Sequence, residues 1–306
     1  MTIESNEDLQ PAEAGRPGST DPSKVGAIDL MIGFPSADAR SHYENLRAMS
    51  KDRESAEMEF PAEYMFKNVP NHLPEGADPI EIALGEMDRC GVAVGMIGTP
   101  YGEVSERALR EHPDRFVASL GIDPNDITGE VRRIRAAKDD CDIKAVTSFP
   151  AGCNPQVPVS DRRYYPIYQT CIDLDIPMVI NAGIAGPRVP SACQDVMHFD
   201  QVCYDFPELR IVMRHGAEPW EDLAVKLMLK WPGLYYMTSG FAPRYYPKAI
   251  IDYANTRGAD KVMYSGYYPM GLSLRRIFEE MPNVALKPEV WPKFLRDNAR
   301  RVFRLT

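Results

Sequence analysis

The feature that most constrains this chain is a series of eight short apolar runs, each followed by a stretch with helical periodicity. They are VGAIDLMIGF (25–34), VAVGMIG (92–98), RFVASLG (115–121), IKAVTSF (143–149), IPMVINA (176–182), RIVMRH (210–215), LYYMTS (234–239) and KVMYSG (261–266). Strands that are apolar on consecutive positions need cover on both faces, and helices between them supply it. Such strands pair in parallel through right-handed crossovers, so eight units predict an α/β fold, a TIM-type (β/α)8 barrel, rather than an open sheet. A length of 306 residues admits two domains but also suits one barrel, and 44% hydrophobic content can fill its core. We read 25–306 as a single domain.

Several helices are legible between the runs. Residues 79–89 (PIEIALGEMDR) carry apolar Ile80, Ile82, Ala83, Leu84 and Met87, and Gly91 follows as a stop. Residues 219–229 open with Glu221 and Asp222, favourable at the positive end of a helix dipole. Residues 245–257 and 271–281 follow runs seven and eight, and 289–303 makes a closing helix. Residues 35–78 break the repeat, because connections of this kind usually span about 2 to 6 residues. An insertion this long after the first strand predicts a lid over the site, with Tyr64 or Phe66 near the substrate, or an arm for subunit contact in a homodimer.

Residues 1–24 hold five acidic and two basic side chains among Pro, Gly, Ser and Thr, a composition that predicts a disordered acidic tail. It has neither the basic start nor the apolar centre of a secretory signal, and no run reaches the ~18 apolar residues of a membrane span. The expected setting is cytoplasmic, with no membrane partner. A net charge of -9 argues against a nucleic-acid footprint and for a small-molecule substrate. Six scattered cysteines without a CxxC pair read as reduced thiols rather than a zinc cage.

Barrel enzymes carry their reacting groups at the C-terminal ends of the strands. Those ends offer Asp29, Met31 and Gly33, which strict alternation would put on one face, then Asn181, His215, Ser239, Tyr267 and Tyr268. The stretch LRIVMRHGAEPW (209–220) is the most suggestive, a strand that stops at Arg214 and His215 and passes through Gly216 and Glu218 into a helix. Imidazole titrates near working pH, so His215 is the candidate general base or acid. Ser239 beside it, oriented by Asp29 or Glu218, would make a nucleophile pair, although no GxSxG elbow is present. Arg188, Arg214 and Arg244 could bind a substrate carboxylate, with Tyr64, Trp220, Tyr245 and Tyr268 as aromatic walls.

Several stretches in order resemble the amidohydrolase-related family, the branch that includes aminocarboxymuconate semialdehyde decarboxylase. They are IDLMIGFP (28–35), EMDRCGVAVGMI (86–97), EHPDRFVASLGIDPND (111–126), YYPIYQTCIDLDIPMVINAG (164–183), FPELRIVMRHGAEPW (206–220), MYSGYYP (263–269) and DNARRVF (297–303). The resemblance implies a metal-dependent barrel, yet the positions of the family's ligands are altered. Where its Asp-x-His-x-His pattern would fall stand Met31 and Gly33, the histidine expected after strand five is Asn181, and the aspartate of the last turn is Tyr267. His215 alone matches a ligand.

One histidine, an amide and a thioether do not make the roughly three-ligand set of a catalytic zinc. The sequence therefore leads us to expect no cofactor, zinc being the alternative, and a degenerate metal site. The expected activity is hydrolysis of an ester, lactone, thioester or amide in a small carboxylated or cyclic molecule. His215 would activate water, and Asn181 and Tyr267 would stabilise the oxyanion. A carboxy-lyase or hydratase is the enzymatic alternative, and a barrel that binds a metabolite or partner without catalysis is the other.

Overall fold

The computed structural model describes residues 21–60, 62–66, 69–99 and 102–306. Most of the acidic tail therefore lies outside the described residues, and Pro22–Lys24 forms a single short turn. All eight apolar runs are strands: β1 Ala27–Asp29, β2 Val92–Thr99, β3 Phe116–Gly121, β4 Ala145–Ser148, β5 Met178–Asn181, β6 Ile211–Arg214, β7 Leu234–Met237 and β8 Val262–Met263. Each pairs in parallel with the next, in the order β1 to β8. Two short helices, α1 Glu44–Met49 and α2 Arg53–Glu57, lie in the insertion. The outer layer is α3 Pro79–Cys90, α4 Glu103–Glu111, α5 Ile127–Cys141, α6 Tyr165–Asp173, α7 His198–Asp205, α8 Glu221–Lys230, α9 Lys248–Ala254 and α10 Leu274–Glu280, and α11 Asn298–Phe303 closes the chain.

Two shells of apolar side chains follow from strands covered on both faces. The inner one gathers Ile28, Leu30, Met96, Val179, Val212 and Met237, and the C-terminal Val302 and Phe303 plug it from below. The outer shell packs the other strand faces against the helices. Helix ends obey local rules: Asp78 caps α3 by accepting from Ile80 N–H at 2.9 Å, and Gly91 ends it at φ 69°.

The barrel is distorted where the sheet's two edges meet. No ladder joins β1 to β8; the nearest backbone contact is an isolated bridge between Ile32 and Tyr268, with Gly33 N–H donating to the Tyr268 carbonyl at 2.8 Å. Below it the seam is filled by the closing helix, whose Lys293–Asp297 segment is a π turn. That wider turn leaves the Phe294 carbonyl free to accept from Tyr264 N–H at 2.8 Å, so a helix stands in for the missing neighbour of β8. The Asn298 amide adds bonds to the carbonyls of Ala259 and Val262 at 2.8 and 2.9 Å.

Asp29 completes the seam and corrects its expected place in the catalytic group. It is fully buried, and its carboxylate accepts from Met31 N–H at 3.0 Å, Gly266 N–H at 2.8 Å and the Tyr264 hydroxyl at 2.9 Å. A Cβ at Gly266 would lie 2.4 Å from the Asp29 Oδ2, so this approach requires glycine. β1 itself ends at Asp29, and Met31 and Gly33 turn to the cavity while Asp29 does not. The strict alternation expected across 29, 31 and 33 therefore fails.

Burial raises the Asp29 carboxyl to about 6, against the lowering pull of its three donors. Between about pH 4 and pH 6 the folded carboxyl binds a proton that the unfolded one has lost, so its contribution to stability falls as pH rises through that window. Denaturation of wild type and Asp29→Asn across that range should show the wild type's relative stability decline by on the order of 3 kcal/mol. Asp29→Ala leaves three donors orphaned and is expected to cost about 3 kcal/mol or more at any pH.

Candidate active site

The end of β6 sets the site's geometry. His215, Gly216 and Ala217 run through positive φ, at 66°, 93° and 60°, before a cis bond between Glu218 and Pro219. Left-handed backbone costs a non-glycine residue roughly 1 to 2 kcal/mol, so the turn persists only because its surroundings fix it. Ala217 N–H donates to the Ala182 carbonyl at 3.2 Å, and Ile184 N–H to the Glu218 carbonyl at 2.8 Å. Gly183 is pressed so close that a Cβ there would stand 2.6 Å from the Glu218 backbone.

This turn sends consecutive side chains to different places. Arg214 stays in the inner row, in register with Asn181, and its Nε donates to the Asn181 side-chain oxygen. His215 swings toward β7. Its N–H donates to Ser239 Oγ at 3.2 Å, and its Nδ1 lies 3.3 Å from that hydroxyl and 3.4 Å from the Ser239 carbonyl. The ring meets Tyr267 edge-on, centroids 5.4 Å apart at 82°. Burial first, and the Arg214 charge second, hold the imidazole down to about 3. It is therefore neutral at physiological pH and too weak a base to draw a proton from water with ease.

The cavity at the mouth has a volume of about 380 Å³. Leu30, Met31, Met96, Ile97 and Val179 give it apolar walls, and Arg214 and Tyr267 face into it. Among the described residues Arg214 is the one Lys, Arg, Asp or Glu in the lining. Burial lifts the Tyr267 phenol to about 12, the Arg214 charge opposing, so it stays protonated. Ser36, His42, Tyr43 and Asn71 of the insertion close the cavity from above, as a lid would.

The insertion is held at its rim. Arg188 bonds Asp52 at 2.9 Å and Glu54 at 2.7 Å and lies 4.9 Å over the Tyr64 ring, while the Tyr64 hydroxyl donates to the Gly186 carbonyl at 2.6 Å. Arg188 is thus engaged by lid carboxylates, which corrects its expected role as a substrate anchor. Tyr64 is half exposed, and the expected contact near the site comes instead from Phe66, 5.6 Å from the Tyr267 ring.

Of the residues expected at the site, the structure brings Arg214 and Tyr267 together at the cavity, with Asn181 outside the lining and bonded to Arg214, and places His215 and Ser239 outside the lining on the far side of Tyr267. Arg244 and Tyr245 are exposed on the outer face, the former near Glu280. Tyr268 is buried against α3, and Trp220 and Glu218 sit in the turn into α8 outside the cavity lining. Sequence reading missed Ser119, Thr147, His42 and Asn71. The two hydroxyls had a signal, being small polar residues near the ends of apolar runs three and four; the lid residues had none.

Residues 37–305 match the sequence model of the amidohydrolase family, a span that begins after the altered strand-one motif. No curated protein matches the chain. Solved structures do: an uncharacterised TIM-barrel protein from Bordetella bronchiseptica is 23% identical over 91% of this chain and 98% of that one, with a TM-score of 0.70. The 5-carboxyvanillate decarboxylase of Novosphingobium aromaticivorans, crystallised with manganese and 4-hydroxy-3-methoxy-5-nitrobenzoic acid, is 16% identical over 94% and 98%, with a TM-score of 0.65. A dihydroxybenzoic acid decarboxylase from Polaromonas sp. JS666, with bound manganese and 2-nitroresorcinol, is 16% identical over 92% and 97%, with a TM-score of 0.61. At these identities the likeness establishes the fold.

Manganese in two of these relatives corrects the expectation of a site that takes no cofactor. The donors on this chain fit such an ion poorly. Among the described residues no three His, Cys, Asp or Glu side chains converge. Positions 31, 33, 181 and 267 supply a thioether, no side chain, an amide already bonded to Arg214, and a phenol.

Two outcomes follow from this geometry. The His215 ring resonances should stay at their neutral positions from pH 8 down to about pH 4 in NMR titration, reporting the imidazole held at about 3; a midpoint near 6.5 would contradict the burial seen here. Arg188→Ala should free the lid's rim and speed limited proteolysis within residues 49–60 several-fold, with little change in melting temperature.

Proposed function

The chain belongs to the amidohydrolase family of enzymes, and from that premise we propose that it is a carboxy-lyase acting on a small aromatic or unsaturated carboxylic acid. The observation that carries this reading is Arg214 and Tyr267 facing one apolar cavity. The guanidinium, steadied by Asn181, takes the carboxylate by charge-assisted bonds. Apolar walls strip water from it, which disfavours localised charge relative to the dispersed charge of a breaking bond. The bond to the carboxyl carbon breaks, carbon dioxide leaves, and the same ring or chain carbon takes a proton from the Tyr267 hydroxyl, which solvent restores.

Hydrolysis has less support, because it asks for an imidazole that faces the substrate and is basic near neutrality. His215 does neither, lying behind Tyr267 and held at about 3. The relatives named as decarboxylases point the same way. Their manganese would find on this chain no set of carboxylate or imidazole ligands among the described residues, so no step is assigned to it.

Carbon dioxide release from a panel of hydroxybenzoates and other unsaturated acids, with manganese supplied, checks the proposal. Turnover of one such acid is expected, and Arg214→Gln should lower kcat/KM about 100-fold or more through loss of the charge-assisted pair. Tyr267→Phe should lower kcat with KM little changed, as fits a group needed for proton delivery. Hydrolysis of esters or lactones without carbon dioxide release from any acid would overturn the reading.

A further inference from the structure

Three hydroxyl side chains lie at the mouth ends of β3 and β4, and they differ in what they touch. Ser119 donates to the Ile97 carbonyl at 3.2 Å. Ser148, on the opposite face of β4, is 2.7 Å from the Tyr164 hydroxyl in the outer shell. Thr147 lines the cavity, and among the described residues its hydroxyl has no hydrogen-bond partner. A threonine in an inner strand row is stiff at χ1, so this hydroxyl is a fixed donor and acceptor rather than a mobile one.

Register locates it relative to the cation. Thr147 is opposite Val179, Val179 is opposite Val212, and Arg214 stands one inward-facing position above Val212. Thr147 and Arg214 are therefore two strands apart, roughly 10 Å between backbones at the usual spacing, and offset by one row. The long arginine side chain reaches inward across part of that distance. Both residues line the same cavity, as do the apolar side chains of Leu30, Met96 and Val179.

We propose that Thr147 is a specificity-determining residue, its hydroxyl binding a hydroxyl or carbonyl substituent on the far side of an aromatic acid from the carboxylate taken by Arg214. The inference rests on the reading of this cavity as a carboxylate site. Thr147 is partly exposed and lines the cavity, so in the free protein its hydroxyl is accessible to water. A ligand that displaces the water without replacing its bond leaves the hydroxyl orphaned, whereas one bearing a matched substituent does not. The substrate preferred by this chain is therefore a ring acid substituted meta or para to its carboxylate.

Calorimetric titration of wild type, Thr147→Val, Thr147→Ala and Thr147→Ser with benzoate, meta-hydroxybenzoate and para-hydroxybenzoate tests this directly. The wild type is expected to bind one hydroxybenzoate about tenfold more tightly than benzoate. Thr147→Val, which keeps the shape of the side chain, should abolish that preference, weakening the hydroxybenzoate that lost its partner and sparing benzoate the orphaned hydroxyl; Thr147→Ala should abolish it too, and Thr147→Ser should retain it. Equal affinity of the wild type for all three acids, or a preference that survives in Thr147→Val and Thr147→Ala, overturns the inference while leaving the carboxylate site in place. Failure of every benzoate to bind the wild type overturns both.

Discussion

The structure depends on how the sheet's two free edges are joined. A parallel barrel is stable only if β1 and β8 have neighbours, and here β1 has three residues and β8 two, too few for a ladder. A buried carboxylate therefore does what several backbone bonds would do elsewhere: Asp29 binds the Met31 N–H beside it and, across the seam, the Gly266 N–H and the Tyr264 phenol. Burying it is costly, as its raised affinity for a proton shows, and the cost is met because the alternative is a row of unpaired backbone groups. Below it the π turn lets a helix carbonyl complete the edge of β8.

That closure also decides the shape of the cavity. Because β1 ends at Asp29, the chain beyond it is free to leave strand geometry, so Leu30, Met31, Ile32 and Gly33 in succession can line the mouth. The insertion that follows folds back over the same opening and rests its Phe60 and Phe66 on Tyr267. Tyr267 in turn separates the cavity from His215. The seam residue and the wall that the insertion and Tyr267 build over the mouth thus both follow from one short strand.

The barrel was legible because its signal is repeated: eight apolar runs with helical spacers tolerate errors at any one of them, and all eight are strands. Site residues have no such redundancy. Asp29 in IDLMIGF reads like a strand-end carboxylate, and only the contact with Gly266, 237 residues away, reveals its role. His215 reads as an ordinary imidazole because neither its positive φ nor the depth of its burial is written in RIVMRHGAEPW. Arg214 and Tyr267 were recoverable from strand ends, whereas His42 and Asn71 come from an insertion whose path the local sequence does not determine.

The three arginines expected at the mouth show why position on a strand matters more than the residue type. With 44 acidic against 35 basic side chains, a guanidinium on a solvated loop has carboxylates within reach. Arg188 takes Asp52 and Glu54, and Arg244 lies near Glu280, so both become part of the surface. Arg214 is held differently: it leaves a strand into an apolar cavity lined by no Asp or Glu among the described residues, and its Nε is bonded to a neutral amide. The amide orients the guanidinium, and low surrounding polarity strengthens the pull of a charge on an anion. The same burial, with the Arg214 charge added to it, disfavours protonation of the neighbouring imidazole.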